Sequence, residues 1–166
     1  MVASGEKGIS VNTVFDEEIL GHHSMRDLLL TVFSDADLSY TLPGDNPSLG
    51  AVLVEMGHIE GVYTSSWQTG VLDWSARPLP DPPSMTIAAL RTWFADQDSA
   101  MKKMLDAFSD EELHTPAIRR ADDFVVSPFV QHEIYREAVY IFYGKLSVYL
   151  RALERDAGPQ WAAWVD

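Results

Sequence analysis

The 166-residue sequence contains no cysteine, which excludes disulfides, thiolate metal sites and cysteine nucleophiles. It shows neither a run of about 20 apolar residues that could span a bilayer nor a secretory leader. Basic residues are scarce, since 12 Lys and Arg against 25 Asp and Glu give a net charge of −13. Such a protein repels phosphate backbones and anionic membrane surfaces. We therefore expect a cytoplasmic protein that binds neither nucleic acid nor membrane.

Several functional motifs are also missing from the sequence. No GxGxxG, P-loop, GxSxG or HExxH pattern occurs, so nucleotide binding, hydrolase-elbow chemistry and zincin chemistry have no support. The only strand-like run, DFVVS, is short and isolated, and no hairpin is predicted. What remains is a chain with 46% hydrophobic residues, enough to bury the core of a single domain.

Apolar residues at helical spacing predict four helices around one core. The second helix follows the cap pair Asn46–Pro47, Ser84 caps the third, and Ser127–Pro128 opens the fourth. Four prolines between residues 78 and 83 predict an irregular crossover between helices 2 and 3. The first helix is expected at about 16–33, the second from 46 to 68 or 70, the third from 84 and the fourth from 127 to about 158. The predicted organisation is an N-terminal arm (1–14), a helical bundle (15–158) and a tail (159–166) that packs on the bundle or on a partner.

Two similar segments follow helices 1 and 3. FSDADL begins at residue 33 and FSDEEL at residue 108, and in each a serine, Ser34 or Ser109, stands three residues before an acid. This spacing is close to a capping box for a short helical turn. Two interpretations stay open: recurrence of a common turn, or a helix pair repeated twice with approximate internal symmetry.

Three stretches together resemble the DinB/YfiT-like superfamily of four-helix bundles: RDLLLTVFSDADLSYTLPGDNPSLGAVLVEMGHIE, FSDEEL and YGKLSVYLRAL. Their order and spacing carry the resemblance, which covers most of residues 15–158. It implies an all-α bundle with a long crossover between helices 2 and 3. It also implies a divalent metal held by one histidine on the second helix and an HxxxH pair on the fourth. Some members are thiol S-transferases that use mycothiol or bacillithiol.

The sequence departs from the family's metal pattern. In the preferred register, which keeps the C-terminal motif intact, Glu55 takes the ligand position on helix 2, and Ala138 and Phe142 take the two on helix 4. A second register pairs His132 with Arg136, but a guanidinium has no lone pair to offer a metal. Phe142 would fill the volume of ligand and ion with carbon. No metal is therefore expected.

If a divalent ion (Zn, Ni, Mn or Fe) binds nevertheless, the expected ligands are Glu55, His58 and His132. Glu55 and His58 are three residues apart and share a helix face. Otherwise His58 is a partly buried histidine held by a carboxylate. Arg136 either forms salt links with neighbouring glutamates or anchors an anionic ligand. The pocket candidates are Glu55, His58, His132, Arg136, Tyr135 and Phe142.

Other residues have structural expectations. Lys145 is placed near the middle of the apolar face of helix 4 and needs a partner, with Asp37, Asp45 and Glu55 as candidates. The doublet His22–His23 is taken as structural or surface. The five tryptophans are expected in the core or as packing anchors for the crossover and tail.

Three functions follow. The leading hypothesis is a DinB-like bundle that has lost its metal triad and acts as a small-molecule-binding or stress-associated protein. The second is a metal-dependent enzyme resembling the thiol S-transferases of this superfamily. The third is a structural dimerisation module, and a homodimer is expected because apolar bundle faces with tryptophan-rich tails often pair.

Overall fold

Four long helices pack around one apolar core, which confirms the predicted all-α bundle. The computed structural model describes residues 11–76 and 80–165, with side chains for these residues except 11–20 and 165. Two short helices and a small hairpin complete the described chain. The elements are α1 (Val11–Val32), α2 (Leu49–Thr69), α3 (Ile87–Leu105), α4 (Asp110–His114), β1 (Ile118–Ala121), β2 (Phe124–Val126), α5 (Pro128–Ala152) and α6 (Gly158–Val165).

Hydroxyl side chains cap α2, α3 and α5 at the expected places or within two residues of them. The Ser127 side chain accepts a hydrogen bond from the Val130 amide, with Pro128 as the first helical residue, as predicted. The second helix is capped by Ser48, two residues after Asn46. The third is capped by Thr86 rather than Ser84. Thr86 has extended backbone dihedrals, and its hydroxyl reaches the Ala89 amide.

Two predicted helix ends are wrong. The first helix begins at Val11, so residues 11–14 of the predicted arm belong to α1, while residues 1–10 lie outside the described part of the chain. The fourth helix ends at Ala152, six residues before Gly158. Gly158 instead has a positive φ of 79° and begins α6, a conformation that glycine adopts without the strain of a Cβ.

Both repeated segments show the predicted capping contacts. The Ser34 amide and hydroxyl donate to one oxygen of Asp37, each at 2.8 Å. The Ser109 amide and hydroxyl donate to Glu112 at 2.8 and 2.6 Å, which completes a capping box at the start of α4. The larger helix-pair repeat stays a prediction.

A β-hairpin, β1 with β2, stands where no hairpin was predicted. Each strand has four residues or fewer, and most of their side chains are exposed. The sequence therefore shows no clear alternation of apolar and polar residues. Ile118 and Val126 are the buried anchors. The hairpin also bonds to the end of α2, because the Arg119 amide donates to Gly70 O at 2.9 Å. It therefore fixes where the crossover (residues 70–86) leaves α2.

The C-terminal segment packs back on the bundle through Trp161. This side chain is buried, and its ring meets Tyr143 edge-on at 5.6 Å. Trp164 and Trp74, by contrast, are about half exposed, so not every tryptophan serves the core. No helix within residues 11–76 and 80–165 is long and apolar enough to cross a membrane.

Candidate functional site

A buried ion cluster lies where α1, α2 and α3 meet. Arg26 on α1 is completely buried, and its Nη1 donates to Glu60 Oε2 on α2 and to Asp98 Oδ1 on α3, both at 3.1 Å. Its Nη2 donates to Asp98 Oδ2 at 2.6 Å, so the guanidinium grips Asp98 with two nitrogens. The Phe94 ring covers the guanidinium at 4.3 Å. One permanent cation thus joins three helices.

His23 extends this cluster to α5. Its Nδ1 lies 2.6 Å from Asp98 Oδ1, and its Nε2 lies 2.7 Å from the Tyr135 hydroxyl. Burial lowers the pKa of His23, although Asp98 opposes the shift. The neutral ring suits both neighbours when Nε2 accepts from Tyr135 and the Nδ1–H faces the Asp98 carboxylate. All four long helices therefore contribute to one polar network.

The two carboxyl groups of the cluster differ in their pKa. Burial opposes ionisation of Asp98, but hydrogen bonds from His23 and Arg26 outweigh it and hold the pKa of Asp98 well below its usual range. Burial raises the pKa of the fully buried Glu60, and Arg26 offsets this only in part. Asp98 is therefore the ionised partner of Arg26, whereas Glu60 keeps its proton to a higher pH than an ordinary glutamate.

The family's metal does not fit this cluster as it stands. A metal site needs several His, Asp or Glu side chains close together. Within the described residues, only His23, Glu60 and Asp98 place three ligand atoms within 4.8 Å of one another. Nitrogen and carboxylate donors suit Zn, Mn or Fe. Arg26 Nη1, however, contacts both carboxylates and already supplies positive charge there. A divalent ion beside a buried guanidinium would be strongly repelled.

Glu55, His58 and His132 do not come together in the structure. Glu55 lies on the surface with Lys145 Nζ 3.4 Å away, and His58 Nε2 lies 2.6 Å from Asp81 Oδ1 in the crossover. His132 is buried elsewhere, close enough to the α1 histidines for their charge to lower its pKa. The three are separated because Glu55 pairs with Lys145 and His58 pairs with Asp81, while His132 is buried near the histidines of α1.

The remaining candidates have structural contacts. Arg136 donates to Glu133 on the same helix. Tyr135 is buried in the His23 network, and Phe142 is buried in the core. Lys145 was placed wrongly: its side chain is 43% exposed at the edge of the helix face, with its Nζ 4.5 Å from the Phe142 ring centroid.

The ion cluster was not predicted from the sequence, because Arg26, Glu60 and Asp98 are far apart in the chain. His23, predicted to be structural or at the surface, is buried and structural. The available signal was a charged residue within an apolar helical face, as for Arg26 next to Met25 and close to Leu29. Such a residue needs a buried partner.

The buried histidines make stability depend on pH. Burial lowers the pKa of His132 from its ordinary 6.5 to about 3, with smaller contributions from His22 and Arg136, and burial lowers that of His22 to about 4. As pH falls, these histidines bind protons in the unfolded chain at a higher pH than in the folded protein. The histidine contribution to the free energy of unfolding is therefore constant above pH 6.5 and declines as pH falls toward 3. The raised pKa of Glu60 acts in the opposite sense, since there the folded state binds the extra proton.

We expect the free energy of unfolding to fall between neutral pH and about pH 4, and His132→Asn to show a shallower slope because it removes one titrating group. Urea unfolding followed by circular dichroism at several pH values measures both. If the free energy of unfolding of the wild type does not change between neutral pH and about pH 4, the lowered pKa values of the buried histidines are contradicted.

An open groove of about 1290 Å³ lies between α2 and the crossover. Its walls are largely apolar, with Val62 and Met85 among them, and Trp74 is 56% exposed. The Trp93 Nε1–H donates to Pro80 O at 3.0 Å and fastens the crossover to α3. The polar groups of the groove are mainly carboxylates and one imidazole. Its principal side chains are Glu55, His58, Val62, Trp74, Asp81 and Met85.

The close approach of α2 and α3 beside this groove depends on a glycine. A Cβ on Gly57 would lie 2.1 Å from Trp93 Cζ3, so only glycine leaves room for the indole. The same Trp93 ring meets His58 edge-on at 5.6 Å, which holds the imidazole toward Asp81.

Comparison with known proteins supports the fold. No protein-family model matches the sequence, and no curated protein matches it. Among solved structures, the chain is similar to a DinB-like protein from Bacillus cereus, with a TM-score of 0.70 and 14% identity over 90% of this chain and 97% of that one. At that identity the likeness concerns the fold. The chain therefore has the fold of a DinB-like helical bundle.

Proposed function

We propose that this chain is a binding protein for a small organic molecule that carries a positive charge, and that it binds this molecule in the groove without a metal. The observation that carries the proposal is the exposed indole of Trp74 in a groove that also contains the carboxylates of Glu55 and Asp81. An aromatic face and nearby carboxylates both attract an organic cation. Apolar walls would cover the rest of the molecule, as in most small-molecule sites.

The two carboxylates retain the capacity to bind a cation. Asp81 is 79% exposed and uses Oδ1 for His58, which leaves Oδ2 available to a ligand. Glu55 and Lys145 are both largely exposed and 3.4 Å apart, and such a surface pair is weak. A cationic ligand would therefore compete with Lys145 for Glu55 at little cost.

The geometry supports binding rather than a reaction by a His58–Asp81 pair. His58 Nε2 faces Asp81, and the other ring nitrogen, Nδ1, is buried without a hydrogen-bond partner among the described residues. A general base needs its free nitrogen within reach of the substrate proton. His58 therefore serves to position Asp81 at the rim of the groove.

Benzyltrimethylammonium is a suitable probe, because it combines an aromatic ring with a permanent charge. Isothermal titration calorimetry should show saturable binding of this cation and weaker binding of benzyl alcohol and benzoate. Trp74→Ala and Asp81→Asn should each weaken binding about fivefold or more, as loss of a cation–π contact or a charge predicts. Trp164→Ala is the matched control, since Trp164 is about equally exposed and lies outside the groove.

Two results would overturn the proposal. The first is binding of benzoate as tight as that of the cation, which would show that the carboxylates do not select charge. The second is unchanged binding after both Trp74→Ala and Asp81→Asn. Circular dichroism and thermal melts of each variant establish that the fold is intact before affinities are compared.

A further inference from the structure

The outer face of α5 carries an exposed apolar strip. Tyr140, Ile141 and Val148 are all more than two-fifths exposed, and Ile141 reaches 63%. Gly144 lies on the same face, since positions three, four and seven apart share one side of a helix. Trp164 of α6 extends the strip, with its ring 6.4 Å from that of Tyr140. Exposed apolar side chains grouped on one face are typical of an interaction surface.

No contact with the described residues explains the glycine at position 144. It lies inside a 25-residue helix, where glycine is less favourable than alanine by about 1 kcal/mol. A Cβ at this position would meet no atom of residues 11–76 or 80–165 within 4 Å, in contrast to Gly57. Glycine in a helix allows another backbone to approach closely. The missing side chain therefore suits a second helix that crosses α5 at Gly144.

The charges on this face indicate which helix that is. Glu137 lies seven residues before Gly144 and Arg151 seven residues after it, and both are exposed. Seven residues are two turns, about 10.5 Å of helix in each direction. An antiparallel copy of α5 that crosses at Gly144 would place Glu137 opposite Arg151 of the second copy, and would do so twice. A parallel copy would place like charges together.

We propose that two copies of this chain associate through α5, antiparallel and related by a twofold axis at Gly144. Such an interface is isologous, so each copy contributes the same residues. Ile141 and Val148 flank the crossing point and bury their exposed area there. Both chains carry a net charge of −13, which repels them elsewhere, so an apolar strip with balanced charges is where they can approach.

Charge reversal tests the antiparallel pairing. Sedimentation velocity over a hundredfold range of concentration should show a monomer–dimer equilibrium for the wild type. Glu137→Arg and Arg151→Glu should each weaken dimerisation about tenfold or more, because each places like charges opposite one another. The double variant should restore it. Asp96→Arg on α3 changes net charge as Glu137→Arg does, is also exposed, and should leave dimerisation unchanged.

Gly144→Leu provides an independent measurement. It should abolish the dimer while leaving helix content by circular dichroism intact, because the added side chain meets open space in the monomer. A wild type that stays monomeric at every concentration would overturn the proposal. So would a double charge reversal that fails to restore a dimer lost in both single variants.

Discussion

Arg26→Met should lower the free energy of unfolding by about 3 to 5 kcal/mol, the cost of removing one partner from a buried ion pair. The variant leaves Asp98 ionised without its two guanidinium contacts, and Glu60 without its only hydrogen-bond donor among the described residues. Urea unfolding at neutral pH measures the change. Arg91→Met on the exposed face of α3 is the control and should stay within about 0.5 kcal/mol of the wild type.

The loss should be recovered in part when the carboxylates are also replaced. Arg26→Met combined with Glu60→Leu and Asp98→Asn removes the unpaired groups, and buried ion clusters replaced as a set are often neutral or stabilising. An Arg26→Met variant as stable as the wild type would show that the guanidinium does not neutralise the cluster. It would also remove the argument against a metal at this site.

Substitution of Arg26 also tests whether this protein binds a metal. Wild-type protein should show the same thermal midpoint with EDTA and with added Zn²⁺, because the Arg26 guanidinium already supplies the positive charge beside Glu60 and Asp98. Arg26→Ala frees the donor atoms of His23, Glu60 and Asp98, and Zn²⁺ should then raise its midpoint. Stoichiometric Zn, Ni, Mn or Fe in wild-type protein purified without added metal would contradict a metal-free function.

Gly57→Ala should destabilise the protein by about 3 kcal/mol, at the upper end of the cost of overpacking a core. The new methyl carbon would lie 2.1 Å from Trp93 Cζ3 and 2.3 Å from Cη2, so the indole must leave its position. Trp93 in turn fastens the crossover through Pro80. Thermal and urea unfolding measure the loss, and the tryptophan emission should shift as Trp93 becomes more exposed.

Gly21→Ala makes the matched comparison. Gly21 also lies within a helix, but its added Cβ meets no atom within 4 Å in the part of the chain that the structure describes. The substitution should therefore raise stability by about 0.5 to 1 kcal/mol through helix propensity alone. Equal effects of the two substitutions, in either direction, would contradict the close contact between Gly57 and Trp93.

Local chemistry made much of the fold predictable. Ser127 and Pro128 mark a helix start because the serine hydroxyl accepts a hydrogen bond from a free amide of the first turn, and proline has no amide hydrogen to leave unpaired there. The signal lies within two adjacent residues. The Ser109–Glu112 box is equally local. The orientation of α5 about its own axis was predicted less well, because Lys145 is 43% exposed rather than near the middle of the apolar face. A wide apolar face leaves its centre ambiguous by about one residue, or 100°.

The site was harder to predict because its contacts join residues far apart in the chain. Arg26 and Asp98 are 72 positions apart, and His58 meets Asp81 in a proline-rich crossover without helical periodicity. A periodic pattern identifies which face of a helix is buried, but not which side chains of two helices meet. The hairpin was missed for a related reason, since its support comes from the backbone of Gly70 rather than from its own sequence.

The buried cluster of Arg26, Glu60 and Asp98 also bears on how this sequence can change over evolutionary time. Each of the three residues is costly without the other two, and effects within one network are not additive. A lineage that exchanges one of them first passes through a less stable protein, and the second and third exchanges are then favoured. These positions are therefore expected to be substituted as a set or not at all.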